Sequence, residues 1–119
     1  MRALFHPPIA EVTVEGILHA LADPVRVSIY AKIASADCAL ICSNFLNVQE
    51  RPIPKSTLSQ HFKALREAGL IRSERRGVEM LNRTRCAELE ERFPGLISSI
   101  LKAHFLQLKS RPAPKKKVA

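Results

Sequence analysis

The chain has 119 residues, of which 46% are apolar and 25% charged, a length and composition that fit one globular domain. No stretch approaches the roughly 18 apolar residues of a membrane-spanning helix, and the first residues lack the long apolar run of a secretion signal. These absences predict a cytoplasmic protein with no membrane partner, in which the three cysteines are reduced rather than joined in disulfides.

The net charge of +8 is concentrated in the middle of the chain and at its end. The segment Met1–Glu50 has a net charge of −2, whereas Arg51–Arg85 has nine basic residues against three acidic ones. The segment Cys86–Ser110 is neutral, and Arg111–Ala119 adds +4. A positive middle segment indicates a polyanionic partner such as nucleic acid, although a run of charges can also be an ordinary solvated surface.

The first half of the chain contains two predicted helices and a less regular third. Apolar residues at i, i+3, i+4 and i+7 spacing predict an amphipathic helix over Val12–Ala22. Asp23 followed by Pro24 provides an N-cap acceptor and a first helical residue that needs no N–H donor, which predicts the start of a second helix. Cys38–Leu46 is apolar and predicts a short third helix, after which the prolines of Asn47–Pro54 interrupt regular structure.

The basic middle segment contains a helix followed by a hairpin. Pro54 suits the first turn of this helix, and Gly69 suits the left-handed position that ends it. Apolar residues at i, i+4 and i+7 predict that its inward face is formed by Leu58, Phe62 and Leu65. Two short strand-like runs then meet at Arg76-Gly77, which predicts a β-hairpin.

Two more helices follow the hairpin. Thr84 can cap a helix that contains Leu89 and Phe93, and Pro94 precedes a last helix with apolar residues at helical spacing through Leu108. That last helix is too apolar to lie alone on a surface, so it must pack against another element.

The order helix, short helix, turn, helix and basic hairpin predicts a mostly α-helical fold with a small β-hairpin wing, the winged helix-turn-helix. This domain would span residues 12–110, between an N-terminal arm of residues 1–11 and a disordered basic tail of residues 111–119. In such a fold the second helix of the helix-turn-helix enters the major groove of DNA.

The outward face of that helix is predicted to bind DNA because it presents hydroxyls, amides and amines without a carboxylate before Glu67. Gln60 is the candidate for base recognition, since its amide can pair with adenine, and His61 either contacts phosphate or packs against the protein. The predicted set on the helix is Lys55, Ser56, Thr57, Ser59, Gln60, His61 and Lys63, of which Ser56, Thr57 and Lys63 would bind phosphate. On the hairpin, Arg72, Arg75 and Arg76 would reach the DNA backbone or the adjacent minor groove.

Two stretches resemble the ArsR/SmtB family of bacterial winged-helix repressors. Leu21-Ala-Asp-Pro-Val-Arg is similar to the family's N-terminal motif, and Lys55-Ser-Thr-Leu-Ser-Gln-His-Phe-Lys-Ala-Leu-Arg-Glu-Ala-Gly-Leu-Ile is similar to its recognition helix. The resemblance implies a transcriptional repressor that binds a pseudo-palindromic operator in double-stranded DNA, at the bacterial nucleoid. In many members a small effector releases the DNA, and for this chain its identity is open.

The resemblance also implies a homodimer that pairs through the first and last helices. The apolar stripes of these helices hold more apolar surface than one small domain can cover. The predicted interface set is Val14, Ile17, Leu18, Leu21, Leu96, Ile97, Ile100, Leu101, His104 and Phe105.

The cysteines leave two interpretations open. On one helical face, Cys38 and Cys42 could form a thiol sensor for a metal or for redox state, with Cys86 as a possible third ligand. The alternative, which the sequence favours, is that they are small buried apolar residues, a frequent role of free cysteine. Because tetrahedral zinc needs four ligands, the sequence predicts neither a bound metal nor another cofactor.

Two other classes of function compete with DNA binding. An enzyme would need a nucleophile with a base, a phosphate-binding loop or a metal triad, and none of these motifs occurs in the sequence. A winged helix can also serve as a protein-interaction module without specific DNA binding. The basic outward face of the recognition helix favours DNA.

Overall fold

A computed structural model describes residues 4–35, the backbone of residues 40–41, and residues 53–110. Within these ranges there are five α-helices and three strands, preceded by one turn of 3-10 helix at Ile9–Glu11. None of these helices is both long and apolar enough to cross a membrane. In chain order the elements are α1 (Val14–Leu21), α2 (Pro24–Ser35), β1 (Leu40–Ile41), α3 (Lys55–Glu67), β2 (Ile71–Arg76), β3 (Glu79–Thr84), α4 (Cys86–Arg92) and α5 (Leu96–Ser110).

The junction of α1 and α2 is held by local hydrogen bonds. Asp23 Oδ1 accepts from the backbone N–H of Val25 at 2.8 Å and of Arg26 at 3.2 Å, which caps α2 as predicted. The Arg26 guanidinium in turn donates through Nε to the carbonyl of Ala20 at 2.7 Å, close to the end of α1. The motif Leu21–Arg26 therefore acts structurally, by fixing the angle between two helices. Burial alone would raise the pKa of Asp23, but the two backbone donors, together with the charges of His61 and Arg26, outweigh it and the pKa is lowered.

The helix predicted over Cys38–Leu46 is wrong at Leu40–Ile41, which form strand β1. This strand pairs antiparallel with β3, Leu40 opposite Asn82 and Ile41 opposite Leu81. The sheet order is β1-β3-β2, so the hairpin gains a third strand along the side of β3. Periodicity cannot separate a short apolar run in a strand from one in a helix, and here the available edge of β3 decides the structure. The rest of Cys38–Leu46, including both cysteines, lies outside the described residues.

The hydrophobic core lies between the helices and one face of the sheet. The predicted inward residues of α3 are all buried, and they pack with residues from α1, α2 and the start of β2. The fully buried members include Ile17, Ile29, Tyr30, Phe62, Leu65, Leu70, Ile71 and Leu89. The core therefore fixes both the recognition helix and the base of the hairpin.

Gly69 ends α3 in the left-handed conformation, with a φ of 82°. The N–H of Leu70 donates to the carbonyl of Leu65 at 3.0 Å, and the N–H of Gly69 donates to that of Arg66 at 3.0 Å. These two bonds form a Schellman motif, which satisfies carbonyls at the end of the helix and turns the chain into β2. The predicted helix end is confirmed.

The predicted hairpin is also confirmed. Strands β2 and β3 pair antiparallel from Ile71 opposite Thr84 to Arg76 opposite Glu79, which leaves a two-residue loop of Gly77 and Val78. Gly77 has a φ of 63° at the first loop position, where a type II′ turn requires glycine.

The prediction that Thr84 caps the next helix is wrong. Thr84 is the last residue of β3, and Arg85 occupies the N-cap position of α4 without a side-chain capping bond. The pairing of Thr84 with Ile71 uses its backbone in the sheet, so the helix begins one residue later than the sequence predicts.

The residues of the predicted dimer interface fall into three groups in the structure: buried, exposed and partly buried. Ile17, Leu21 and Ile97 are buried in the core of the single chain, so they have no surface left for a partner. Leu18 is 51% exposed and Phe105 is 41% exposed, and they lie on α1 and α5. The remaining members, Val14, Leu96, Ile100, Leu101 and His104, are partly buried. Two further apolar residues of α5, Leu106 and Leu108, are also exposed.

Candidate nucleic-acid interface

The outward surface of α3 is built by helical spacing. Leu58, Phe62 and Leu65 occupy the buried side, so Ser56, Gln60 and Lys63, at i, i+4 and i+7, form a line on the opposite side. The first three residues are buried and the other three are exposed, as predicted, and the first turn of α3 contains no acidic residue. The helix therefore presents hydroxyl, amide and ammonium groups on a surface that a major groove can accept. Lys55, Thr57 and Ser59 are also exposed, on either side of this line.

His61 is placed differently from the rest of the predicted set. It lies beside the buried side of α3 and is half-buried, and its Nδ1 is fully buried with no hydrogen-bond partner among the described residues. Of the two interpretations that the sequence allows, packing against the protein fits this position better than phosphate contact.

The three wing arginines differ in their neighbours. Arg72 Nη2 lies 3.5 Å from Glu88 Oε1 of α4, and Arg76 Nε lies 2.8 Å from Glu74 Oε1 on the same strand. Arg75 is exposed and forms no ion pair with another described residue. Exposed pairs of this kind are weak, about 0–1 kcal/mol, so DNA phosphate can replace the carboxylate. Of the three predicted arginines, Arg75 is the one that needs no such exchange.

The two faces of the hairpin also separate these arginines. Side chains alternate along a strand, so Arg75 lies on the same face as Ser73 and Ile71, the face that packs on the core and on α3. Arg72 and Arg76 lie on the other face. Of the three, Arg75 is therefore on the recognition-helix side of the wing.

Because Arg75 and Arg76 differ in their ion pairs, their alanine variants should differ in how DNA affinity depends on salt. Arg75→Ala should lower the slope of log affinity against log salt by about 0.9 for each phosphate that the arginine no longer neutralises, hence about 1.8 for a dimer with both wings bound. Arg76→Ala should lower it less, because Glu74 already compensates part of that charge in the free protein. Fluorescence anisotropy with one duplex at several salt concentrations measures both. Equal slopes for the wild type and Arg75→Ala would show that Arg75 does not bind phosphate.

Sequence reasoning missed a set of buried polar residues behind this surface. Ser73, Asn82 and Arg85 are each less than 5% exposed, although serine, asparagine and arginine side chains are ordinarily solvated. Ser73 Oγ donates to Asn82 Oδ1 at 2.7 Å, and Arg85 donates to both carboxylate oxygens of Glu88 at 3.1 and 3.0 Å. These bonds lower the pKa of Glu88. No sequence pattern marks these residues, since their partners are set by tertiary packing.

The described residues provide little for a metal. They contain no group of three or more His, Cys, Asp or Glu side chains that could hold an ion. Cys86 is a partly buried free thiol 3.3 Å from the hydroxyl of the buried Tyr30, whose pKa is raised by burial and by this contact. Cys38 and Cys42 lie outside the described residues, so the thiol-sensor hypothesis stays a prediction.

The helix–hairpin arrangement and the basic surface on it define a winged helix-turn-helix protein, as the sequence predicts. The sequence model described as "Bacterial regulatory protein, arsR family" matches residues 52–73, which cover the recognition helix and the start of the wing. A comparison with curated proteins found no significant match.

Solved structures extend this similarity to most of the chain. The transcriptional repressor BigR from Xylella fastidiosa is 19% identical, with a TM-score of 0.59 over 84% of this chain and 88% of that one. An ArsR family transcriptional regulator is 18% identical, with a TM-score of 0.58 over 82% and 98%. An ArsR-like transcriptional regulator from Rhodococcus sp. RHA1 is 20% identical, with a TM-score of 0.53 over 83% and 93%. The resemblance to the ArsR family, a family of regulators and not of enzymes, is thus confirmed in motif and in fold.

Proposed function

We propose that this protein is a sequence-specific regulator that binds double-stranded DNA as a homodimer and represses transcription from a pseudo-palindromic operator. The observation that carries the proposal is the outward line of Ser56, Gln60 and Lys63 on a core-anchored helix, next to a wing with the exposed Arg75. Helix and wing together offer one group for base edges and several for phosphates, the two kinds of contact that specific recognition needs.

The other parts of the proposal rest on the family resemblance. A regulator of this kind would act in the bacterial cytoplasm, at the nucleoid, and a small effector of unidentified chemistry would release it from the operator. Two recognition helices related by two-fold symmetry would then bind half-sites about one helical turn, or a multiple of it, apart.

The direct test is selection of bound genomic DNA fragments by the purified protein. The expected result is enrichment of a few fragments that share an inverted repeat. Uniform weak binding to all fragments, with no shared motif, would contradict specific regulation and favour the protein-interaction alternative. The same experiment provides the operator duplex for the measurements below.

The dimer is tested separately. The exposed apolar residues Leu18, Phe105, Leu106 and Leu108 should pair with a second copy, so sedimentation at micromolar concentration should give twice the mass of 13.3 kDa. Phe105→Glu should shift the protein toward monomer, because it would bury an unpaired charge in the interface. Gln107→Glu, an exposed position on the same helix, is the matched control for added charge. A monomer in the wild type would contradict the proposed symmetry.

A further inference from the structure

Two hydrogen bonds join the N-terminal arm to distant parts of the chain, one to strand β2 of the wing and one to Arg85 at the start of α4. The backbone N–H of Ser73 donates to His6 Nε2 at 2.9 Å, and Arg85 Nη1 donates to the carbonyl of Pro7 at 2.8 Å. Strand β2 is an edge strand of the sheet, and the Ser73 N–H points away from β3 toward the arm. His6 therefore satisfies a buried edge-strand donor that would otherwise cost free energy.

The same serine connects the wing to the recognition helix. Its hydroxyl donates to Asn82 Oδ1 on β3, and Arg66 Nη1 near the end of α3 lies 3.5 Å from Ser73 Oγ. Asn82 Nδ2 donates to the carbonyl of Met80 at 3.2 Å, one residue beyond the start of β3. The polar cluster His6, Ser73, Asn82 and Arg66 thus spans the arm, both wing strands and α3.

We propose that the arm is a positioning element of the DNA-binding unit, in which His6 fixes the wing at an angle to α3 that lets Arg75 reach phosphate. This inference rests on the proposed function. Arg75 lies two residues from Ser73 on the same strand face, so movement at Ser73 is transmitted along the strand to Arg75. His6 is a positioning residue and does not itself contact DNA.

The bond requires an unprotonated Nε2, and the surroundings favour that state. Burial lowers the pKa of His6, and Arg72 on β2, Arg66 on α3 and Arg85 before α4 lower it further. Glu88 faces Arg72 and Arg85 rather than the ring, and both of them bind its carboxylate. Because the folded-state pKa lies below the reference value of 6.5, the unfolded chain binds more protons. The hydrogen bond between His6 and the Ser73 amide therefore contributes its full stability above pH 6.5. This contribution is lost as the pH falls through the folded-state pKa of His6.

The test compares three arm variants of the full chain. His6→Ala should weaken binding to the selected operator by about three- to tenfold, the range expected when one hydrogen bond is removed. His6→Gln, which keeps a side-chain acceptor, should bind within about twofold of the wild type. Phe5→Ala removes an exposed side chain of the same arm and should have no effect. Hydrogen exchange of the Ser73 amide should accelerate in His6→Ala only, whether or not DNA is present.

A double-mutant cycle separates positioning from a general loss of stability. If the arm acts through the wing, His6→Ala should have no further effect on affinity in the Arg75→Ala background, whereas independent effects would add. The operator affinity of the wild type, relative to that of His6→Gln at the same pH, should also fall as the pH is lowered below about 6.5, because protonation removes the acceptor only in the wild type.

The outcomes distinguish this inference from the proposed function. Additive effects in the cycle, or His6→Gln as weak as His6→Ala, would overturn the positioning role while leaving DNA binding intact. Unchanged hydrogen exchange of the Ser73 amide in His6→Ala, measured without DNA, would show that the hydrogen bond from Ser73 to His6 does not form. A wild-type protein that selects no duplex would overturn the proposed function and the positioning role together.

Discussion

Gln60→Ala is expected to weaken operator binding by about 1–3 kcal/mol for each half-site and to leave binding to random duplex nearly unchanged. The reason is its position in the middle of the exposed line of α3, between Ser56 and Lys63, where a two-pronged amide can pair with an adenine edge. Substitution at the matching base pair should become tolerated in the variant. Competition titrations with the selected operator and a scrambled duplex measure both effects.

Lys63→Ala is the matched contrast on the same helix. An ammonium that binds phosphate contributes to every duplex, so this variant should weaken operator and scrambled DNA by the same factor and lower the salt slope. If Gln60→Ala also weakens both duplexes equally, its amide does not recognise a base and the orientation of α3 on DNA must differ from the one proposed.

Gly69→Ala is expected to destabilise the protein by about 2–4 kcal/mol, the largest effect that a single added methyl should produce here. The residue has a φ of 82°, and an added Cβ would overlap Val12 Cγ2 in the core. The variant must therefore strain its backbone and displace a buried side chain at once. Urea denaturation followed by circular dichroism measures the change.

Two companion variants separate these causes. Gly77→Ala has a similar φ of 63° but open space around the added methyl, so it should cost about 1 kcal/mol, the conformational part alone. Val12→Ala in the Gly69→Ala background should relieve the overlap and recover part of the stability. If Gly69→Ala and Gly77→Ala destabilise the protein equally, and Val12→Ala restores no stability to Gly69→Ala, the contact with Val12 is unimportant.

Local chemistry is sufficient for much of the architecture. The cap at Asp23, the inward face of α3, the helix end at Gly69 and the turn at Gly77 can all be predicted from residues a few positions apart. Their hydrogen bonds and backbone angles depend on neighbours in sequence, so the local residue pattern is enough to predict them. The exposed face of α3 follows from its buried face by helical geometry alone.

Contacts between distant segments decide the remainder. Leu40–Ile41 form a strand because β3 offers them an edge, and Ile17, Leu21 and Ile97 are core residues because α1 and α5 pack on their own chain. The sequence predicts amphipathic faces for both helices correctly, but periodicity does not say whether an apolar face meets the same chain or a second copy.

The sequence by itself therefore determined the class of protein and the residues that α3 presents to a partner, because both depend on short-range periodicity and capping. Only the tertiary structure revealed that His6 bonds the Ser73 amide across 67 residues and that Arg85 bonds Pro7 across 78. Such bonds form between single polar groups that packing brings together, and no spacing in the sequence encodes them. For the same reason, the neighbours of each wing arginine could be assigned only from the folded chain.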